Sequence, residues 1–173
     1  VEAPADLVYQ TAAEFDMDSL PLVHAIFALR SRFMGAGSAP PRPFRTGLVT
    51  GARQLGWGTL VEEPGRLFVA GAYCQPWLGN VTFHPLTADT FASFTAPDQV
   101  KIAWTLETTS VGPRRCILAT ETRVLATSPE AQRRFRRYWR WARFGIYAIR
   151  WLLLPAIRRA AERQASAAGS TTG

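Results

Sequence analysis

Lysine is almost missing from this chain: of twenty basic residues only Lys101 is one, and the rest are arginine. Arginine presents a planar fork suited to bidentate recognition of phosphate or carboxylate, where lysine offers a point charge. Cysteine is scarce too. Cys74 and Cys116 are the only two, which argues against a disulfide framework or a cysteine-built zinc site. Both fall in apolar strand-like runs that predict buried free thiols. Histidine is limited to His24 and His84. No cluster of His, Cys or carboxylates stands at metal-ligand spacing, so no metal is expected. The P-loop and the glycine fingerprint of dinucleotide binders are absent, and no cofactor is expected. No apolar run reaches the ~20 residues of a membrane-spanning helix; the best, 144–157, stops at 14 residues and contains Arg150. No signal peptide is recognisable, so a cytoplasmic location is expected.

What is present describes a folded domain. Hydrophobic residues at 47% and charged residues at 19% exclude a disordered chain. The 173 residues suffice for one domain with a real core, expected over 1–165, and the closing ASAAGSTTG predicts a disordered tail over 166–173. The net charge of +7 is local. Residues 129–163 hold ten arginines against Glu130 and Glu162, a balance of +8, leaving ten basic and eleven acidic residues elsewhere. An acidic partner is therefore expected at this stretch and not over the whole surface.

Residues 1–3 read as the tail of a strand that begins upstream, and Pro4 suits a first helical turn. Leu7, Val8, Thr11, Ala12 and Phe15 recur at helical spacing, giving a short helix; 16–19 supply turn and cap chemistry. Leu22, Val23, Ile26, Phe27 and Arg30 mark a second helix, on which His24 reads as a surface or locally bonded residue. The run GAGSAPPRP at 35–43 is a loop, either a connector or a lid. Strands are then expected at 55–62 and 67–75 around a turn at 63–66, with 81–84 resuming the pattern and 87–94 a short helical turn. The clearest hairpin is 100–110 with 116–127, turning at Gly112–Pro113: Val100, Ile102, Trp104 and Leu106 alternate against Lys101, Thr105 and Glu107.

The stretch 129–163 reads as one long helix, with Ser128 as its N-cap, Pro129 at its first position and Glu130 against its positive end. Phe135, Tyr138, Trp139, Ala142, Ile146, Ile149, Leu153, Ala156, Ile157 and Ala160 fall on one face. Arg133, Arg134, Arg136, Arg137, Arg140 and Arg143 form a basic wall opposite. Trp141, Phe144, Tyr147, Trp151, Leu152 and Leu154 lie off the inward stripe, so 141–154 is apolar nearly all round. That surface calls for cover by the first helices, a second copy or a membrane interface. Pro155 removes one backbone hydrogen bond and predicts a kink. The order of elements predicts an α+β fold in which a curved antiparallel sheet is covered by this helix.

In this order, the phrases VEAPADLVY at 1–9, TETRV at 120–124 and RFRRYW at 134–139 resemble the START-like, or SRPBCC, superfamily of helix-grip proteins, in a bacterial branch. The resemblance runs from about Val1 to Glu162. It implies a seven-stranded sheet wrapped around the last helix, with a hydrophobic cavity between them that takes lipids, polyketides or other apolar ligands. A few members cyclise or hydrolyse theirs. The fold alone does not assign a function.

Glu121 and Arg123 are two apart on one strand and so share a face. A two-residue loop at Gly112–Pro113 sets Trp104 opposite Glu121 and puts the pair in the cavity; a shift of one brings Thr120 and Thr122 inside instead. Tyr73, Trp77, Trp104, Tyr138 and Trp139 are candidate cavity linings, or plain core. His84, before Pro85 at a strand end, and Glu121 are the candidate acid–base residues. The leading expectation is binding of a small hydrophobic or amphipathic ligand. The alternatives are a cyclase- or aromatase-type enzyme in the same cavity, and an adaptor docking on a membrane surface through the arginine wall. Homodimerisation through Trp141, Phe144, Trp151 and Leu154 is a further option. Nucleic acid ranks last, because charge is present but no recognition module is.

Overall fold

The computed structural model describes residues 1–22, 25 and 46–170. Apolar residues alternate along the two central strands, and that alternation is what gives the sheet one buried face. The five antiparallel strands are β1 (Gly58–Glu63), β2 (Leu67–Cys74), β3 (His84–Pro85), β4 (Val100–Gly112) and β5 (Arg115–Ala126). Their order is β1-β2-β4-β5, with β3 continuing the β1 edge by pairing with Ala72 and Tyr73 of β2. The helices bounded within the described residues are α1 (Ala5–Ala13), α2 (Leu48–Gln54), α3 (Ala88–Phe91) and α4 (Pro129–Ser170), with a 3-10 turn at Met17–Ser19. This is the expected α+β architecture, an open antiparallel sheet gripping a long C-terminal helix. The sheet has five strands among the described residues, where the resemblance implied seven. Val1 exchanges both backbone bonds with Cys116, at 2.8 and 3.0 Å, and so continues the ladder beyond β5 as the tail of a strand would.

Phe68, Ala70, Ala72 and Cys74 of β2 and Val100, Ile102, Leu106 and Thr108 of β4 are the buried, inner row. α4 crosses this face. Its Leu153 and Ile157 enter one cluster with Phe68, Ala70 and Leu106, with Tyr9 and Ala12 of α1, and with Leu48 and Val49 of α2. One turn on, Ala161 and Ala165 meet Ala3, Val8 and Cys116; side chains no larger than methyl let the helix approach closely. Near the other end, Phe135 packs on Cys74, Val100 and Ile102. Both cysteines are buried and outside any disulfide, and burial pushes the Cys116 thiol up.

The outer face holds the only lysine. Lys101 points away from α4, and its ammonium donates to the carbonyls of Phe91, Ala92 and Phe94 at 2.9, 3.1 and 3.4 Å, closing the end of α3. The same nitrogen stands 5.3 Å from the Phe91 ring centre. A Thr87–Thr90 capping box holds the start of that helix.

Several sequence expectations are corrected. α4 does not end near Arg163 but runs to Ser170, so 166–170 is helix and not a disordered tail. Alanine is the best helix former, and burial of Ala165 anchors the last turns. Pro155 lies inside the helix, where the sequence placed it. α2 was not anticipated. Its C-cap Leu55 and Gly56, at φ +92°, delay β1 to Gly58. There an added Cβ would lie 2.3 Å from the Leu86 carbonyl oxygen, so only glycine fits. The strand at 81–84 shrinks to the two residues of β3, where Pro85, lacking an N–H, sits on an edge. At the 63–66 turn, Arg66 N–H donates to Glu63 O and Gly65 takes φ +77°, as a Pro-Gly turn of type II requires. The second helix marked by Leu22 to Arg30, His24 and the loop at 35–43 fall mostly or wholly outside the described residues.

Candidate functional site

The β4–β5 register decides which side chains face α4. Trp104 pairs with Thr122 and Thr105 with Glu121. The register shift at the hairpin end, between Ser110 and Gly112, leaves the long ladder in step. Of the two readings open in the sequence, this is the one that brings Thr120 and Thr122 to the inner side. The Trp104 indole N–H donates to Thr120 Oγ1 at 2.9 Å.

Glu121 and Arg123 therefore point outward, and the cavity anchor they could have formed is not there. They bond each other at 2.9 Å, with side chains 56% and 79% exposed. The bond from Arg123 holds the Glu121 carboxyl below its ordinary range and the guanidinium above its own. A general acid needs the opposite shift. His84 also lies on the outer side, stacked on Tyr73 at 4.8 Å, with Phe94 stacked on Tyr73 at 4.3 Å. Among the described residues, no nucleophile or carboxylate bonds it. Tyr73 is thus not a cavity lining either.

Trp77 packs against Cys74, Val100 and Ile102, and its indole N–H is buried without a partner among the described residues. Tyr138 and Trp139 are half-buried on α4, stacked or tilted against Phe135 at 6.2 and 5.7 Å. They continue the packing of that end.

Among the described residues, an open cleft lies on the β5 flank of α4. A cleft of about 250 Å³ is lined by Val1, Leu118, Leu154, Pro155 and Arg158. Leu118 comes from β5, where Thr120 and Thr122 follow it on the inner face beyond the cleft. Leu154 and Arg158 come from α4, where Arg150 precedes them in the same row, one residue per turn. The Arg150 guanidinium donates to Thr122 Oγ1 at 2.7 Å, tying helix to strand. At the other side, Arg158 donates to Glu162 at 2.9 Å. Glu162 also accepts the Glu2 N–H at 3.1 Å. Those two bonds, the backbone one first, hold the Glu162 carboxyl below its ordinary range. The walls are apolar and the charge along the helical row is positive. None of the lining residues chosen from sequence lines this cleft. The row of Arg150, Leu154 and Arg158 was visible in the sequence, but nothing there said which flank of the helix meets β5.

The arginine wall is exposed as expected. Arg133 bonds Glu130, Arg134 bonds Asp98 at 2.8 Å, and Arg143 lies 4.9 Å over the Phe144 ring. Arg136, Arg137 and Arg140 have no acidic partner among the described residues. Among the described residues nothing covers the off-stripe aromatics: Trp141 is 76% exposed, Phe144 61%, Tyr147 57% and Trp151 80%, while the expected second helix falls mostly outside those residues. Intramolecular cover by α1 does not reach them, because α1 sits against the far end of α4 at Ala161 and Ala165. Among the described residues, no helix is long and apolar enough to cross a membrane, and no group of side chains could hold a metal ion. No protein-family model, curated protein or solved structure matches this chain.

Proposed function

We propose that this protein binds a small amphipathic molecule, a single apolar chain or ring ending in a carboxylate or phosphate, in the cleft between β5 and α4. The observation that carries the reading is the composition of that cleft: apolar walls from Leu118, Leu154 and Pro155, with Arg158 on its lining and Arg150 two turns away in the same row. A guanidinium has five donors, so the Arg158 bond to Glu162 leaves others for an anionic head. The volume of about 250 Å³ falls just below the ~300–1,000 Å³ of pockets for drug-sized ligands, which favours one alkyl chain over a multi-ring polyketide. The helix-grip arrangement and the START-like resemblance support the same class of ligand, and a cytoplasmic, membrane-peripheral location suits it. The cyclase or aromatase alternative requires a base beside the ligand, and His84 and Glu121 both stand on the other face of the sheet.

Thermal melts with dodecanoate, dodecyl phosphate and dodecyltrimethylammonium test it. At about a hundredfold excess over Kd, bound ligand should raise Tm by roughly 5–10 °C for a chain of this size. The two anions should do so and the cation should not. Leu154→Trp, which fills the cleft, should remove the rise, and Arg158→Gln should reduce it. No rise with either anion, or the same rise in Leu154→Trp, ends the proposal.

A further inference from the structure

We infer that the outer face of α4 is a docking surface for a bilayer with anionic headgroups, on which the helix lies flat. Four large side chains, Trp141, Phe144, Tyr147 and Trp151, stand out of the protein over about 15 Å of helix, each more than half exposed. Scattered exposed apolar residues need no explanation, but a contiguous aromatic band does. Directly N-terminal to it, Arg136, Arg137 and Arg140 are exposed and without acidic partners among the described residues.

The occupant follows from charge and from side-chain type. The segment 129–163 carries ten arginines against two glutamates, so a second copy seated on the same face would bring two strongly positive helices together. A negatively charged surface is complementary. Tryptophan and tyrosine settle at headgroup depth, where the ring is in an apolar layer and its N–H or O–H is wet, and arginine stems reach from that depth to the phosphates. A nucleic acid would use the arginines, yet it offers a continuous aromatic band on a rigid helix no apolar layer to enter. The cleft adjoins this face: Leu154 and Arg158 follow Trp151 by three and seven residues, along one side of the helix. Docking therefore sets the cleft mouth at the lipid surface. The inference does not depend on what the cleft holds, because the aromatic band and the arginines lie outside it.

The test is co-sedimentation of the full chain with phosphatidylcholine vesicles, with and without about a third phosphatidylglycerol, at low and high salt. The expected result is binding to the anionic vesicles that falls steeply with salt and is weak on neutral ones. R136Q/R137Q/R140Q should weaken binding on the order of a hundredfold, and W141S/W151S about tenfold or more. All five positions are exposed, so circular dichroism should show each fold intact. W141F/W151F, which keeps the rings, should still bind but lose the blue shift of tryptophan emission on vesicle addition. Equal binding to neutral and anionic vesicles overturns the inference, as does full binding by W141S/W151S. It is also overturned if light scattering finds a dimer that W151S dissociates while vesicles bind neither form, or if DNA is bound and vesicles are not. Loss of lipid docking with Leu154→Trp alone would likewise count against it, since that change touches only the cleft.

Discussion

Phe68 has no exposed surface and shares one core cluster with residues of α1, α2 and α4. Phe68→Ala should cost about 3–5 kcal/mol in chemical denaturation, because no neighbour can move to fill the space. Gly58→Ala should cost about 2 kcal/mol or more for the opposite reason: its methyl would meet a backbone carbonyl, not a side chain able to turn away. Glu162 gives a pH signature. Its folded pKa lies below the ordinary value of 4.5, so its contribution is present above that value and lost as pH falls through the folded pKa. Melts should show Glu162→Gln below the parent at neutral pH, and the gap should close well below 4.5. The group is exposed, so the gap should be small. At this scale the sequence was weakest on Glu121 and Arg123: strand geometry put them on one side, but only the ladder register says which. Gly112–Pro113 admits turns one residue apart, and either one keeps the hairpin.

Among the elements, those with long periodic patterns were legible. The alternation in β4 and the stripe of α4 announce themselves because each repeats over many residues and each buries one face. Ser128 does cap α4, its Oγ accepting the Ala131 N–H at 3.1 Å. Ser128→Ala should cost about 1 kcal/mol in a denaturant melt. α2 escaped because LVTGARQ is one short turn set with a glycine inside, and tertiary packing of Leu48, Val49 and Ala52, not propensity, makes it helical. The end of α4 escaped because alanine and serine read as a frayed tail unless one knows that Ala165 has a seat on Val8 and Cys116. On the outer face, Lys101→Met should leave three carbonyls of the α3 end without their donor, at a cost of roughly 1–3 kcal/mol. Hydrogen exchange should rise over 88–94 before the rest of the chain responds.

For the molecule as a whole, the last turns of α4 tie the beginning of the chain to the end. Glu2 N–H donates to Glu162, Thr11 Oγ1 donates to Gln164 at 3.0 Å, and Ala3 and Val8 share a core with Ala161 and Ala165. Truncation after Ala160 should therefore lower Tm clearly, while truncation after Ser166 should leave it close to the parent. The cleft shares this dependence, since Val1 and Arg158 both line it. The candidate site was illegible from sequence for that reason: it is made where a strand edge, a chain start and one flank of a helix meet, and no single segment carries it. A last consequence comes from Lys101. With the only lysine buried and its amine held by three carbonyls, acylating reagents such as succinimidyl esters should leave the folded protein's side chains untouched, and a single acyl adduct at that position becomes a direct count of molecules whose α3 has opened.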